Sequence, residues 1–412
     1  MTDFHILKAL FDSALDAAVP DGNFSRLRPP APKGKTIVVG AGKAAAKMAA
    51  AFEDDWPDTC HGLVVTRYGH ATATRHIEVV EAAHPVPDQA GVDAATRIAD
   101  LVSSATKDDL VICLISGGAS ALLSLPATGI SLKEKQDINQ ALLRSGAPID
   151  QMNTVRKSLS AIKGGRLAEM AHPARLVTYL ISDVPGDAPS AIGSGPTIPE
   201  TGNPEHTLAI LQSLDIPVSD RVKQAILKNL APASSIPATV HMMATPMISL
   251  EAAANKARSL GITPYILGDA IEGEAREAAR VFGGIVRSIL MHDQPFMSPC
   301  VLLSGGETTV TVKGNGRGGR NAEFLLSLFE TIGHEPRIAA IACDTDGIDG
   351  IEDNAGAWFD GTFTALVRKR NLDAGSYLAN NDAWTFFHQL DRLVHTGPTL
   401  TNVNDFRAIL IK

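Results

Sequence analysis

The segment VKGNGRGGRNAEFLL, residues 312–326, joins a predicted strand to a predicted helix. The hydrophobic run at residues 299–303 predicts the buried strand, and the apolar spacing at the end of the segment predicts the helix. Glycines allow backbone amides to approach a bound group closely, and Lys313, Arg317 and Arg320 would complement a negative charge. The loop is therefore predicted to bind an anion.

The same order of motifs occurs twice along the chain. In each half a predicted strand leads into Ser-Gly-Gly, a GGR segment precedes a helix, and another strand ends in an acidic turn. The corresponding segments are residues 116–118, 163–169 and 182–187 in the first half, and 304–306, 317–323 and 343–349 in the second. Three echoes in one order predict two related α/β lobes, each Rossmann-like with a parallel sheet, that face a shared ligand cleft.

Alternating strands and helices predict how the lobes are built. This alternation indicates crossover connections and a mostly parallel sheet that is covered on both faces. The proline-rich segment 232–237 favours a boundary that gives an N-terminal lobe of residues 1–235 and a C-terminal lobe of residues 236–412. The turn-rich segment 185–204 follows a predicted strand and is interpreted as a functional loop.

The composition restricts the class of protein. The chain has 412 residues, 45% of them hydrophobic and 20% charged, which is typical of a globular protein of two or three domains. A net charge of −8 argues against nucleic acid as a partner. The four cysteines are scattered without a CxxC pair, so we expect neither a zinc site nor a disulfide framework. With no predicted signal peptide or membrane span, we expect a cytoplasmic protein.

Gly40-Ala41-Gly42-Lys43 lies between a predicted strand and a predicted helix, where a helix N-terminus can bind phosphate or carboxylate. The motif also fits a dinucleotide fingerprint, and Arg67 could hold a nucleotide 2′-phosphate. Close packing of strand and helix would also explain the two glycines. A lysine in the first turn of a helix opposes the macrodipole, and a bound anion would relieve that conflict. Lys43 is therefore the first catalytic candidate.

Further charged residues follow predicted strands or share a helix. Arg156, Lys163 and Arg166 have helical spacing, and a solvated basic face is the alternative to a binding role. Acidic turns follow strands in both halves, and such carboxylates can hold Mg²⁺ together with water and substrate phosphates. Capping of the turns is the simpler alternative for these carboxylates.

The motifs together resemble a known family. They read VGAGKAA, EAAHPVPD, LISGGASALL, NTVRKSLSAIKGGRLAE, LISDVPGDAPSAIGSGPT, LLSGGETTVTV, GRGGRNAEF and CDTDGIDG. In this order they resemble the class II glycerate 2-kinases, whose MOFRL-type domain would span about residues 299–401. The resemblance implies phosphorylation of D-glycerate at its 2-hydroxyl with ATP and a divalent metal such as Mg²⁺. Some relatives carry the older name hydroxypyruvate reductase.

The resemblance also implies roles for individual residues. Lys43 and Arg320 match the catalytic lysine and arginine. Beside these, we hypothesise that Asp183 or Asp187 orients the attacking hydroxyl or the metal. Arg320 would stabilise the transferring phosphoryl group, while Lys43 would hold the carboxylate or a phosphate. Candidates for binding substrate or nucleotide are Gly40, Gly42, Ser116, Gly117, Gly118, Ser120, Asn153, Arg156, Ser304, Gly305, Gly306 and Glu307. Candidates for binding metal are Asp187, Asp344 and Asp346.

Two other functions stay open at this point. An NAD(P)H-dependent hydroxypyruvate reductase could use the fingerprint at Gly40 with Arg67, but the second GGR loop and its acidic turn would then have no role. A metabolite-binding protein would have the same ligand cleft but would catalyse no reaction. The partners expected are the small molecules D-glycerate and ATP, without nucleic acid or membrane, and a homodimer stays open as the assembly.

Overall fold

The computed structural model describes residues 1–200, 202–232 and 236–412. These residues form two compact units. The first unit is Pro20–Met243, and the second unit combines Met1–Val19 with Ala244–Lys412. Each contains a six-stranded sheet with packed helices, so the predicted α/β class with two lobes is confirmed. Among the described residues, no helix has the length and apolar character needed to cross a membrane.

The first part of the chain supplies the sheet and helices of the first unit, preceded by one helix of the second. The strands are β1 (Thr36–Ala41), β2 (Cys60–Arg67), β3 (Ile77–Ala82), β4 (Leu110–Ile115), β5 (Arg175–Ile181) and β6 (Ala238–Ala244). The helices are α1 (Asp3–Ala18), which belongs to the second unit, α2 (Asn23–Arg26), α3 (Ala45–Asp55), α4 (Gln89–Ser103), α5 (Ala119–Leu122), α6 (Leu132–Ser145), α7 (Ile149–Ser158), α8 (Arg166–Ala171), α9 (Pro204–Ser213) and α10 (Asp220–Lys228).

The first sheet has the strand order β3-β2-β1-β4-β5-β6, and the pairs from β3 through β5 are parallel. Strands β1 and β4 are buried along their whole length, as expected for apolar strands covered on both faces. The predicted parallel sheet is therefore present in this unit. The order reverses between β1 and β4, and ligands of open α/β sheets bind at the carboxyl ends of strands beside such a reversal.

The rest of the chain forms most of the second unit. Its strands are β7 (Thr263–Gly268), β8 (Gly273–Glu274), β9 (Cys300–Ser304), β10 (Thr308–Thr309), β11 (Ile338–Asp344), β12 (Gly356–Phe359), β13 (Leu393–Val394) and β14 (Asp405–Ile411). Its further helices are α11 (Pro246–Ser259), α12 (Ala275–His292), α13 (Arg320–Ile332), α14 (Phe363–Lys369), α15 (Ala374–Ala379) and α16 (Ala383–His388).

The second sheet is mixed, whereas the repeated motifs predicted a parallel one. Its order is β13-β12-β11-β14-β9-β7, and of the described pairs within this sheet only β7 and β9 are parallel. The physical reason is that the C-terminal strand β14 lies between β9 and β11 and is antiparallel to both. Strands β9 and β11 consequently run in the same direction, so the ends that follow them, at Ser304 and Asp344, meet the beginning of β14 at one edge.

The division of the chain also differs from the predicted lobes of residues 1–235 and 236–412. Helix α1 packs in the second unit, where Leu10 and Phe11 are buried with Leu250 and Phe406. An amphipathic helix must cover apolar surface, and this surface is supplied by α11 and β14. Strand β6 joins the first sheet, so the first unit extends beyond the proline-rich segment. The predicted boundary itself falls at residues 233–235, which lie outside the described residues.

The single helix that the spacing of Arg156, Lys163 and Arg166 predicted is interrupted. Helix α7 ends at Ser158 and α8 begins at Arg166. Gly164 and Gly165 between them have φ values of 62° and 85°, and a Cβ at Gly165 would lie 2.5 Å from Pro199 Cα. A positive φ and such close approach require glycine. The turn takes Lys163 off the helix face on which the spacing had placed it.

Truncation of Phe11 tests the assignment of α1 to the second unit. Phe11 is fully buried and its ring centroid lies 5.5 Å from that of Phe406. We expect Phe11→Ala to destabilise the second unit by about 3–5 kcal/mol. Hydrogen exchange should lose protection in β11 and β14 but keep it in β1 and β4. Asp16→Ala, on the exposed face of the same helix, is the control. Loss of protection in β1 and β4 would contradict the assignment.

Candidate functional site

Lys43 lies at the carboxyl end of β1, beside the reversal of strand order. The amide of Lys43 donates to the carbonyl of Gly117 at 2.8 Å, and the amide of Ala44 donates to Ser116 Oγ at 3.0 Å. These bonds join the loop after β1 to the Ser-Gly-Gly loop after β4. Because α3 begins at Ala45, Lys43 precedes the helix and does not occupy the first turn in which it was predicted. Its half-buried side chain remains at the carboxyl edge of the sheet.

The backbone amides around Lys43 have acceptors within the protein. Besides the two bonds to the Ser-Gly-Gly loop, the Gly42 amide donates to Val65 O at 3.0 Å. A Cβ at Gly42 would lie 2.1 Å from Ser116 Oγ, and one at Gly40 would lie 2.2 Å from Leu114 O. Close packing therefore accounts for both glycines, which was the alternative left open by the sequence. The loop offers a pyrophosphate few of the amides that a dinucleotide fingerprint uses.

A cavity of about 500 Å³ opens beside the Ser-Gly-Gly loop. Its walls come from the turn at residues 84–87, from residues 118–121, and from α6, α7 and Lys163. A Cβ at Gly118 would lie 3.1 Å from the His84 ring and 3.3 Å from Lys43 Cγ. Lys43 therefore lies immediately beside the cavity. The structure thus brings the predicted residues Lys43, Gly118, Ser120 and Arg156 together in the first unit.

Buried cations accompany this cavity. Lys163 is 1% exposed, and its Nζ donates to the carbonyl of Ser120 and, at 2.9 Å, to Ser120 Oγ. Lys135 is equally buried and donates to Ser124 Oγ at 3.0 Å. Within the part of the chain that the structure describes, Lys135, Arg156 and Lys163 form no ion pair with a carboxylate. The usual interpretation of a solvated basic face does not hold for these side chains.

The environment of the buried cations disfavours their charged forms. Burial holds the pKa of Lys163 well below its usual value, and the positive charges of Lys135, Arg156 and Lys157 add to the effect. Burial lowers the pKa of Lys135 to about 8 and also lowers the pKa of Arg156. A bound anion would supply the negative charge that the protein does not provide. The site is therefore suited to phosphate or carboxylate groups.

The remaining candidates of the first unit lie near the same edge or on α7. Asp183 lies two residues after the end of β5, and the amide of Asp187 donates to Val184 O at 3.0 Å, which closes a turn. Asp187 has a φ of 53° and both carboxylates are half-buried. Asn153 is half-buried one turn before Arg156 on α7 and does not belong to the described lining of the cavity.

In the second unit, Arg320 opens α13 and contacts three carboxylates. Its Nε donates to Asp405 at 2.7 Å, its Nη1 to Glu307 at 2.8 Å and its Nη2 to Asp344 at 2.8 Å. Burial opposes the charged guanidinium, but the three carboxylates outweigh it and raise the pKa of Arg320 above its usual value. Arg320 is therefore held as a fixed cation with a defined orientation.

Asp405 connects Arg320 to the sheet. Its side chain is fully buried and accepts hydrogen bonds from Arg320, from Arg407 and, at 2.8 Å, from Asn321 Nδ2. The register of β14 produces this arrangement, because Asp405 lies opposite Asp344 and Arg407 lies opposite Ser304. Asp405 is a candidate site residue that sequence reasoning missed. No local pattern shows that β14, which begins at Asp405, lies antiparallel between β9 and β11.

The acidic turn after β11 contains one carboxylate that caps a helix and two carboxylates that are suited to binding a metal ion. Asp349 accepts hydrogen bonds from the amides of Asn321 and Ala322, both at 2.9 Å, so it caps α13. Asp344 and Asp346 are both nearly buried, and burial followed by repulsion from Asp346 raises the pKa of Asp344 well above its usual value. Adjacent carboxylate oxygens are ligands that Mg²⁺ prefers. Among the described residues, however, no group of three or more metal-ligating side chains converges.

The glycine-rich loop at residues 312–319 does not form the predicted anion site. Its amides donate to the protein itself, as at Lys313 and Gly314, which both bond to Asn381 Oδ1. The side chain of Arg317 pairs with Glu352 and lies 3.9 Å from the centre of the Trp384 ring. The glycines permit close approach to another loop, a requirement that produces the same sequence pattern as a phosphate loop.

The second Ser-Gly-Gly segment is likewise used by the protein. The amide of Gly305 donates to Gly268 O at 2.9 Å, and its carbonyl accepts from Arg407 at 3.1 Å. Gly306 has a φ of 109°, and a Cβ there would lie 2.2 Å from Ile271 N. Ser304 is buried at the end of β9, while Glu307 is exposed and pairs with Arg320. Of these four candidates, Glu307 has the direct contact with Arg320.

Comparison with known proteins agrees with the features of both units. Residues 6–230 match a domain of unknown function designated DUF4147, and residues 300–405 match the MOFRL family. The chain is 38% identical to a D-glycerate 2-kinase of Thermotoga maritima, over 97% of this chain and 96% of that protein. The crystal structure of a glycerate kinase from the same organism superposes with a TM-score of 0.92 at 36% identity, covering 99% of both chains.

A further relative, from Agrobacterium vitis, is 49% identical over 98% of this chain and 94% of its own length. This relative is named a hydroxypyruvate reductase, and the name describes that activity as provisional. The two-unit α/β fold and the similarity to glycerate kinases define a small-molecule kinase of the type that combines a DUF4147 region with a MOFRL region. The chain belongs to the class II glycerate 2-kinase family, so the resemblance seen in its motifs is confirmed.

Lys135 provides a test of the buried cationic site. Its folded pKa of about 8 lies below the ordinary value of 10.5, so the unfolded state binds more protons between these pH values. The stability of the native protein should therefore rise between pH 8 and 10.5, by up to roughly 3 kcal/mol from this residue. Lys135→Met removes this contribution, and its stability relative to the unsubstituted protein should fall over that range. Urea unfolding measures the difference, and a pH-independent difference would contradict the assignment.

Proposed function

We propose that the chain transfers the γ-phosphoryl group of ATP to the 2-hydroxyl of D-glycerate, giving 2-phospho-D-glycerate and ADP. The observation that carries the proposal is the position of Lys43, whose amide donates to Gly117 O at the reversal of strand order and whose side chain lies close to Gly118, beside a cavity lined by Arg156 and Lys163. Membership of the family and the name of the Thermotoga maritima relative support the choice of substrate.

Phosphoryl transfer needs positioning and stabilisation of charge more than covalent help from the protein. Lys43 supplies a cation whose backbone is fixed by Ser116 and Gly117, and it would bind the carboxylate of D-glycerate or an oxygen of the transferring group. Asp183, at the end of β5, would orient the attacking hydroxyl. These two roles place the acceptor at the carboxyl edge of the first sheet.

Arg320 would stabilise the transferring phosphoryl group. A guanidinium has five N–H donors, and the described contacts of Arg320 engage three of them. One donor on Nη1 and one on Nη2 therefore remain for phosphoryl oxygens. Asp405 and Asp344 fix the plane of the guanidinium in advance, which reduces the reorganisation needed during the reaction. Exposed Glu307 is the partner that a phosphate could replace with least disturbance.

Asp344 and Asp346 fit the binding of Mg²⁺, since together they offer hard oxygen ligands at a turn where their charges repel. Bound Mg²⁺ would neutralise part of the phosphate charge, with phosphate oxygens and water completing its coordination. Asp187 stays a predicted ligand on the first unit. The shared cleft also stays a prediction, as does the homodimer.

The reductase alternative receives less support from the geometry. The amides that a dinucleotide would use at Lys43 and Ala44 already donate to Gly117 and Ser116. The name of the Agrobacterium vitis relative motivates a direct comparison of the two activities. We also retain the cytoplasm as the proposed location, which the four buried free thiols support.

Two parallel assays test the proposed reaction. With ATP, Mg²⁺ and D-glycerate we expect ADP to form only when D-glycerate is present, and the product to carry phosphate on the 2-hydroxyl. Chelation of the metal should stop turnover and added Mg²⁺ should restore it. With hydroxypyruvate and NADH or NADPH we expect no change in absorbance at the nicotinamide band. Nicotinamide oxidation without ADP formation would overturn the proposal.

Substitution of the two catalytic candidates tests their roles. We expect Lys43→Ala and Arg320→Ala each to lower kcat by roughly 10²–10³, the loss typical when one stabilising donor is removed. Arg320→Lys should recover little activity, because an ammonium cannot bond to several carboxylates in one plane. Lys47→Ala, one turn into α3, and Lys313→Ala, on the exposed loop, are matched controls. Near-normal turnover in folded Lys43 or Arg320 variants would refute the assignment.

A further inference from the structure

Strand β14 presents a buried arginine to helix α13. Alternate residues of a strand point to one face of the sheet, and on this face Ile409 belongs to the apolar core that is shared with α12 and α13. Arg407 and Asp405 continue the same face toward the start of the strand. Arg407 is 1% exposed, and its guanidinium carbon lies 4.9 Å from the centre of the Phe324 ring on α13. The core is therefore apolar along most of this face and becomes charged at the end that contacts Arg320.

Stability does not account for an arginine at this position. The Nε of Arg407 is buried and has no hydrogen-bond partner among the described residues. Replacing a buried ion pair by apolar side chains of similar volume is often neutral or stabilising. The next residue on this face of the strand, Ile409, is apolar and equally buried. A cation that must be desolvated where an apolar side chain would fit indicates a role other than packing.

The hydrogen bonds of Asp405 show what Arg407 contributes. Oδ1 of this carboxylate accepts from Arg320 Nε at 2.7 Å and from Asn321 Nδ2 at 2.8 Å. Oδ2 accepts from Arg407 Nη2, and from the amide and the hydroxyl of Thr308 at 3.3 and 3.4 Å. Arg407 thus gives Oδ2 a charge-assisted partner, which fixes the rotation of the carboxylate. Because the carboxylate cannot turn, Oδ1 is the oxygen that meets Arg320.

Arg407 also holds the loop that carries Glu307, a second carboxylate partner of Arg320. Its Nη1 donates to Gly305 O at 3.1 Å and its Nη2 donates to Thr308 Oγ1 at 2.9 Å. These contacts lie on both sides of Glu307 in the sequence. Glu307 in turn accepts from Arg320 Nη1 at 2.8 Å. One buried side chain therefore sets two of the three carboxylates around Arg320.

We propose that Arg407 is a positioning residue for the phosphoryl transfer, which keeps the guanidinium of Arg320 in its productive orientation by engaging Oδ2 of Asp405. Without Arg407, the carboxylate of Asp405 is free to turn and to pair with Arg320 through both oxygens, which draws the guanidinium away from Asp344. Arg407 acts through Asp405 and the loop, and needs no contact with a substrate. The inference rests on the proposed kinase function, since it extends the role proposed there for Arg320.

Substitution of Arg407 should lower turnover without weakening the binding of either substrate. We expect Arg407→Met to lower kcat by roughly 10- to 100-fold, because a small misplacement of a catalytic group has an effect of this size. The KM values for ATP and D-glycerate should stay unchanged, as expected when the lost interaction is made only in the transition state. Arg407→Lys should keep more activity than Arg407→Met, since an ammonium can pair with Asp405 but cannot reproduce the fork that also reaches Gly305 and Thr308.

Nuclear magnetic resonance of arginine-labelled protein tests the orientation of Arg320 directly. The Nε–H signal of Arg320, assigned by its loss in Arg320→Lys, should shift in Arg407→Met because the acceptor of this donor turns. Ile409→Ala is the matched control, since it removes a buried side chain from the same face of β14, two residues further along the strand. It should lower the midpoint of urea unfolding but leave kcat and the Arg320 signal unchanged.

The outcomes separate a positioning role from a structural one. An unchanged Arg320 signal in folded Arg407→Met would overturn the inference, and so would a raised KM with normal kcat. An equal loss of turnover and equal shift in Ile409→Ala would also overturn it and leave Arg407 with a structural role alone. If Arg407→Met does not fold, Arg407→Lys is judged by the same measurements. If the unsubstituted protein does not phosphorylate D-glycerate, the proposed function fails, while the resonance comparison still decides whether Arg407 orients Arg320.

Discussion

A buried carboxylate, Asp405, determines the arrangement of the site in the second unit. It lies between the guanidinium groups of Arg320 and Arg407, and the latter is also almost fully buried. Removing one partner from such a buried network leaves an uncompensated charge, which costs about 3–5 kcal/mol. The sheet register supplies the geometry, since β14 places Asp405 opposite Asp344. The orientation of Arg320 and the pairing of β14 with β11 are consequently inseparable in this unit.

The buried cations of the first unit have different surroundings from those of the second unit. Lys163 and Lys135 are as deeply buried as Arg407, but serine oxygens take the place of carboxylates around them. Burial without counterions lowers their affinity for protons, whereas the carboxylates around Arg320 raise its affinity. Among the described residues, the buried lysines of the first unit thus have no paired carboxylate, whereas Arg320 in the second unit has three.

Sequence patterns located the residues that follow parallel strands. Lys43 and Ser116 were predictable because the carboxyl ends of parallel strands lie at one edge of a sheet, and alternating elements predict such strands. Asp405 was not predictable, because nothing local shows that β14 is antiparallel between two strands distant in sequence. The loop at residues 312–319 misled for another reason. Glycines that admit a neighbouring chain, here at Asn381, have the same spacing as glycines that admit a phosphate.

The repeated GGR motif shows that similar sequence does not imply a similar role for its arginines. Arg166 and Arg320 occupy equivalent places in their segments, yet Arg166 donates to Asn229 and to backbone carbonyls, including that of Lys163 at 2.8 Å. Arg320 instead meets carboxylates because strand ends bring them to it. Arg166 therefore fixes the turn that contains Lys163. The side chain of Arg320 is instead held in place by the carboxylates around it. Arginines at equivalent positions of the repeated motif have different chemical surroundings, because the topology around them differs. The role of each arginine therefore follows from its partners and not from its motif.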